Sequence, residues 1–128
     1  MSLKRLFGLG RKKSATHIKR ITVYEAHDLC AKGAITLIDV RGPDEWAKTG
    51  RPVDSHGVTL QDPDFLIAAL AAAGGDKDRP VAFSCLSGKR SLQAAEKALA
   101  AGHTDIFNVE GGLLAWADAR LPLARDPS

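Results

Sequence analysis

The sequence predicts an α/β fold, with a mainly parallel central sheet of about five strands and helices on both faces. Short apolar runs rich in β-branched residues alternate along the chain with segments of helical period. Such alternation builds consecutive strand–helix units, whose strands lie parallel. The run from Ile35 to Val40 is nearly continuous in apolar residues, as expected of a central strand covered on both faces. The chain has 128 residues, 45% of them hydrophobic. That is the size of one domain, with enough apolar material for a core that needs no staples.

The elements follow in order. Ile21-Thr22-Val23 is a short edge strand or a helix lead-in. Thr22 and Glu25 stand at capping-box spacing, so a helix starts near Val23, passes Leu29 and Cys30, and stops at Gly33. After the strand at 35–40, Gly42-Pro43 opens a short helix over 44–48. Residues 50–57 read as a loop, and Val58 to Leu60 as a brief strand. Asp62-Pro63 then starts a helix with Phe65, Leu66, Ala69 and Leu70 on one side, ended by Gly74-Gly75. Val81 to Ser84 is the next strand, residues 85–90 a loop, and 91–101 an alanine-rich helix with Leu92, Ala95 and Leu99 inward. Ile106 to Val109 is the last strand, and a helix over 113–119 is broken by Pro122.

Charge and cysteine usage narrow the function classes. The net charge is +3, and much of the excess falls early, at Lys4, Arg5, Arg11, Lys12, Lys13, Lys19 and Arg20. The apolar run there, Leu6 to Leu9, is shorter than the roughly 7–15 residues of a secretory core. No run approaches the roughly 20 residues of a membrane helix. Residues 1–16 therefore read as a mobile basic arm, residues 17–124 as the folded domain and residues 125–128 as a tail. The arm is either a solvated tail or makes weak contact with an anionic surface. Neither nucleic-acid binding nor stable membrane insertion is expected. Cys30 and Cys85 are far apart and match no zinc or C-x-x-C spacing. The expectation is reduced thiols, a cytoplasmic location, and neither a metal nor a cofactor.

The chemistry concentrates in Cys85-Leu86-Ser87-Gly88-Lys89-Arg90-Ser91, between a buried strand and a helix. In a parallel sheet this is the edge where ligands bind. A thiol here faces unpaired helix N–H groups and two cations, Lys89 and Arg90. Both favour the thiolate, which is the nucleophile. Gly88 lets the turn close, and a tight ring of N–H groups forms an anion cup. The chemistry suggested is thiolate attack on an anionic sulfur donor; a buried, inert cysteine is the bland alternative. Counting excludes three rivals. A phosphatase loop has five residues between Cys and Arg, whereas Arg90 follows Cys85 after four, and Ser91 stands where that Arg would be. A phosphate-binding loop would need glycine where Phe83 stands. A thioredoxin motif would need cysteine at Gly88.

Over residues 18–122 the chain resembles the rhodanese family. Three pieces carry the resemblance, in the family's order: Leu37-Ile38-Asp39-Val40-Arg41 with Glu45-Trp46, then the Cys85–Ser91 loop, then Asn108-Val109-Glu110-Gly111-Gly112 with Ala115-Trp116. The resemblance implies a rhodanese-like fold in which Cys85 cycles between thiol and persulfide. Sulfane sulfur would come from a small anionic donor such as thiosulfate and pass to a thiol or cyanide-like acceptor, or to a sulfur-accepting protein. The backbone of Leu86, Ser87, Gly88, Lys89 and Arg90 would cradle the persulfide. The six-residue loop is the length found in sulfur-transferring members. Two departures bear on specificity. Leu86 stands where many members have Arg. The usual Gly-His-Ile-Pro-Gly-Ala segment is replaced by Gly50-Arg51-Pro52-Val53-Asp54-Ser55-His56-Gly57.

The remaining polar residues read as support. Arg41 is expected to pair with Glu45. Asp39 is expected to hold the loop through Arg90 or backbone N–H groups, and Ser91 to complete the loop end. His56 belongs near the mouth as a solvated residue, with proton transfer the minority reading. His17, His27 and His103 look like surface or helix-end residues, and Trp46 and Trp116 like packing. Cys30 reads as a buried thiol, with a resolving partner for Cys85 as the alternative. Three functions stay open: a sulfurtransferase enzyme, a persulfide carrier that works only with a partner protein, and a silent binding module. The presence of Cys85 speaks against the third.

Overall fold

The computed structural model describes residues 17–125. The basic arm expected at 1–16 and residues 126–128 of the expected tail lie outside the described residues.

A strand β1 (Lys19–Ile21) leads into helix α1 (Val23–Ala31). The capping box holds its start: the Thr22 hydroxyl accepts from the Glu25 N–H at 3.1 Å, and the Glu25 carboxylate accepts from the Thr22 N–H at 2.9 Å. Next come β2 (Thr36–Asp39), α2 (Pro43–Thr49), β3 (Arg51–Pro52), β4 (His56–Gly57) and α3 (Phe65–Ala72). The chain closes with β5 (Val81–Ser84), α4 (Lys89–Ala100), β6 (Ile106–Val109), α5 (Gly112–Asp118) and β7 (Leu123–Ala124). Five strands form one sheet in the order β1-β6-β5-β2-β4, and all its pairings are parallel.

Strand alternation sorts the core into two layers. Ile38, Val81, Phe83 and Ile106 face α3 and α4, where Phe65, Ala69, Ala94, Ala95 and Ala98 pack. Leu37, Ala82 and Val109 face α1 and α5, meeting Val23, Ala26 and Trp116. Phe83 and Ile38 are fully buried, and each such side chain contributes about 1.5–3 kcal/mol relative to exposure. The helices therefore cover both faces, as the sequence predicts.

Several local expectations change. The edge strand beside β2 is His56–Gly57, not Val58 to Leu60. Val58 and Leu60 still donate to the carbonyls of Asp39 and Val40, but beyond the ladder. The presumed loop at 50–57 also contains β3, which pairs antiparallel with β7. Both strands are too short to carry a periodic signal. Arg125, assigned to the tail, donates to the carbonyls of Ala47 and Lys48 at the end of α2. Helix α3 begins at Phe65, after a turn over 61–64, and leaves Leu66 exposed. Helix α4 begins at Lys89 and buries Ser91, Ala94, Ala95 and Ala98, leaving Leu92 exposed. In α4 small residues face the sheet, because alanine lets a helix approach it closely, whereas α3 turns Phe65 and Ala69 inward. His103 is buried rather than at the surface.

Candidate active site

Cys85 follows β5 directly, and strand alternation continues through it. Residues 81, 83 and 85 share the α4 face, so the thiol is delivered beneath the first turn of α4 and is only 1% exposed. Gly88 is the N-cap of that helix, with φ +118°, a conformation that favours glycine. Its N–H donates to Cys85 Sγ at 3.0 Å, and Ser91 Oγ lies 3.3 Å from the same sulfur.

The loop is oriented from behind. The first N–H groups of α5 would be unpaired. Instead Leu113 donates to the Cys85 carbonyl at 2.8 Å and Leu114 to the Leu86 carbonyl at 3.1 Å. In a planar peptide the N–H points opposite to the carbonyl. Anchoring the Leu86 carbonyl on α5 thus turns the Ser87 N–H inward, towards the sulfur. The approach leaves no room for a side chain at Gly112: a Cβ there would lie 2.4 Å from the Cys85 carbonyl oxygen.

Burial pushes the Cys85 thiol up. The Ser91 hydroxyl and the N–H groups of Ser91, Gly88 and Ser87 pull it down, and the balance lies below a free thiol. The largest lowering contributions are hydrogen bonds, not the two adjacent cations. Lys89 and Arg90 sit in the first turn of α4 rather than in a loop. Lys89 is exposed. Arg90 makes a bidentate pair with Glu45, at 2.7 and 2.9 Å. That guanidinium holds the Glu45 carboxyl down at about 2.

The Arg41–Glu45 pair expected from sequence does not form. Arg41 turns back onto Asp39, its Nη2 2.9 Å from Oδ2, with both side chains buried. It also donates to the Thr49 hydroxyl and the Gly50 carbonyl. Asp39 accepts the Arg41 backbone N–H, not Arg90. Spacing suited both partners, but the strand end brings Asp39 closer and leaves Glu45 facing α4. This network ties the exit of β2 to the end of α2.

Asn108 joins the site without having been singled out. Its Oδ1 accepts from Ser91 Oγ at 2.6 Å, and its Nδ2 donates to the Gly88 carbonyl at 3.2 Å. The sequence carried Asn108 only as the first residue of the third family motif, and strand pairing is what places it here. Asn108 shares a strand face with Ile106, which packs against α4, and β6 pairs it with Phe83, two residues before Cys85. His56, expected at the mouth, lines a groove at the other end of the sheet with Cys30, Thr36, Asp54 and Arg79.

The model of the Rhodanese-like domain family matches residues 22–119. The chain belongs to the rhodanese-like family. Within it, the chain is 30% identical over 105 residues to the thiosulfate sulfurtransferase GlpE of Stutzerimonas stutzeri, covering 79% of this chain and 86% of that protein. It is 37% identical over 89 residues to a sulfurtransferase of Allochromatium vinosum, covering 70% and 78% of the two chains. A solved structure from Rhodopseudomonas palustris, described as a protein of unknown function and possible tyrosine phosphatase, aligns with a TM-score of 0.71 at 27% identity. That alignment covers 90% of this chain and all of the other. No helix among the described residues is long and apolar enough to cross a membrane.

Proposed function

We propose that this protein is a sulfurtransferase that moves sulfane sulfur from a donor such as thiosulfate to a thiophilic acceptor through a persulfide on Cys85. The observation that carries the reading is a buried sulfur ringed by N–H and O–H donors at the start of a helix. Such a cup stabilises a sulfur anion in place without a bound metal or cofactor. The sulfurtransferase names of the relatives favour the same chemistry.

The reaction balances without an outside oxidant. The Cys85 thiolate attacks the outer sulfur of thiosulfate. The new S–S bond forms as the old one breaks, and sulfite leaves with the bonding pair. Cyanide or a thiolate then attacks the outer sulfur of the Cys85 persulfide. That S–S bond breaks and returns its pair to Cys85. In this scheme the N–H groups of Leu86 to Arg90, spanning the loop and the first turn of α4, hold the persulfide, and exposed Lys89 attracts the anionic donor. Arg90 and Glu45 clamp α4 to α2, and Asp39 with Arg41 fixes the neighbouring strand end. Phosphatase chemistry fits less well, because four residues separate Cys85 from Arg90 and that Arg is engaged by Glu45.

A second reading, a persulfide carrier served by a sulfur-accepting protein, has one observation in its favour. Half-buried Leu86 and exposed Leu114 put apolar surface beside the cup, and Leu86 lacks the charge that would draw a small anion. Intact-mass spectrometry after incubation with thiosulfate tests both. One added sulfur, lost on treatment with cyanide and absent from Cys85→Ser, is the expected result. Equal loading of Cys30 in that variant sinks the assignment. Loading with slow turnover on free thiosulfate and cyanide selects the carrier.

A further inference from the structure

The contacts behind the sulfur pose a problem of proton count. A serine hydroxyl has one hydrogen to donate. Ser91 Oγ stands 2.6 Å from Asn108 Oδ1 and 3.3 Å from Cys85 Sγ, so its hydrogen serves one of them at a time. The amide orientation of Asn108 follows from its other contact. The Gly88 carbonyl, 3.2 Å away, accepts only from Nδ2, which turns Oδ1 towards Ser91.

We propose that Asn108 is a positioning residue that sets the direction of the Ser91 hydroxyl, and through it the readiness of Cys85 to ionise. This deepens the reading of Cys85 as the reacting group and rests on it. With Cys85 as a thiol, the S–H donates to Ser91 Oγ and the Ser91 hydrogen points at Asn108 Oδ1. On ionisation the thiol proton leaves to water. The Ser91 hydrogen stays on its oxygen and swings to the thiolate, giving up the bond to Asn108. A neutral amide is an acceptor strong enough to order the hydroxyl and weak enough to release it. A carboxylate would hold the hydrogen more tightly and would add a negative charge beside the sulfur.

The charged groups around the sulfur are held elsewhere or are common to every variant. Lys89 and Arg90 lie on α4. Glu45 on α2 is held by Arg90, and Asp39 on β2 by Arg41. Glu110, just past β6, pairs with Arg20. Differences in titration between the alanine variants at 91 and 108 therefore report on the hydroxyl, whereas Asn108→Asp adds the effect of its own charge.

The test is the rate of iodoacetamide alkylation against pH, in a Cys30→Ser background so that one thiol titrates. Asn108→Asp should raise the midpoint by about 1–2 units. Asn108→Ala frees the hydroxyl for the thiolate and should lower it by about half a unit to one unit. In a Ser91→Ala background, Asn108→Ala should leave the midpoint where Ser91→Ala alone puts it, because the residue acts through the serine. The proposal is overturned if Asn108→Ala raises the midpoint or leaves it unmoved. It is equally overturned if the shift is the same size with and without the Ser91 hydroxyl. If Asn108→Asp does not fold, the two alanine variants decide. Alkylation needs no sulfur donor, so a protein that shows this coupling but never loads sulfur would refute the sulfurtransferase reading alone.

Discussion

The two cysteines occupy opposite ends of the same parallel sheet, and their surroundings act on sulfur in opposite directions. Cys85 leaves the carboxyl end of β5 and meets the N–H groups at the start of α4. Cys30, near the end of α1, is half-buried against the residues where β2 begins, and its thiol makes a weak contact of 3.9 Å with the Asp54 carbonyl. Burial and then the Asp54 charge push the Cys30 thiol up, whereas the hydrogen bonds at Cys85 outweigh its burial. Burial alone thus tells little about a cysteine. What matters is how many donors face the sulfur. At Cys85 the Ser91 hydroxyl and the N–H groups of Ser91, Gly88 and Ser87 outweigh burial, whereas at Cys30 the Leu37 N–H and the Arg79 charge do not offset burial and the Asp54 charge. The same geometry argues against Cys30 as a resolving partner for Cys85.

Activity should break this comparison most sharply. Cys85→Ser should reduce thiosulfate-to-cyanide transfer to background, while Cys30→Ser keeps it within about twofold, since surface-distant substitutions perturb little. Comparable losses in both variants would show that the cysteines work as a pair. The next effect is in acidity. Alkylation of Cys85, followed by peptide mass mapping, should reach its midpoint below the free-thiol value of about 8.5 and that of Cys30 above it. A reversed order would show that the donors around Cys85 do not offset its burial.

The clamp over the cup should give a smaller effect, confined to acid. The folded value for Glu45 is depressed, so its contribution to stability is full above about 4.5 and is lost as pH falls through about 2. The Tm gap between the protein and Glu45→Gln should therefore close over that window. Both partners are about a third exposed (31% and 35%), and the gap at neutral pH should correspond to about 1 kcal/mol. Arg90→Ala should show the same gap together with a lower kcat. The smallest change is expected for Lys89→Ala, a few-fold rise in KM for thiosulfate that fades in high salt, because an exposed charge is screened over about 10 Å at 0.1 M. Leu86→Arg should move KM the other way.

The parts legible from sequence are those fixed by neighbours in the chain. The strand–helix alternation, the Thr22–Glu25 cap, the central strand at β2 and the Cys85 loop each depend on a few consecutive residues. Backbone conformation and strand period are local properties, so a single sequence carries them. The misread parts depend on residues far apart. Spacing could not choose between Asp39 and Glu45 as the partner of Arg41, because both lie within reach and the choice follows from how β2 ends against α2. Helical period alone favoured Leu66 and Leu92 as inward, yet packing on the sheet selected Phe65 and Ala69 of α3 and the alanines of α4.

The sequence by itself determined that a cysteine would stand between a buried strand and a helix, with glycine where the turn requires it. Only the tertiary structure decided what surrounds the sulfur. The carbonyls of Cys85 and Leu86 are turned away by α5, and the Ser91 hydroxyl is shared with Asn108 from a strand 17 residues further on. These contacts depend on helix packing and strand order, which bring together groups that no local pattern connects.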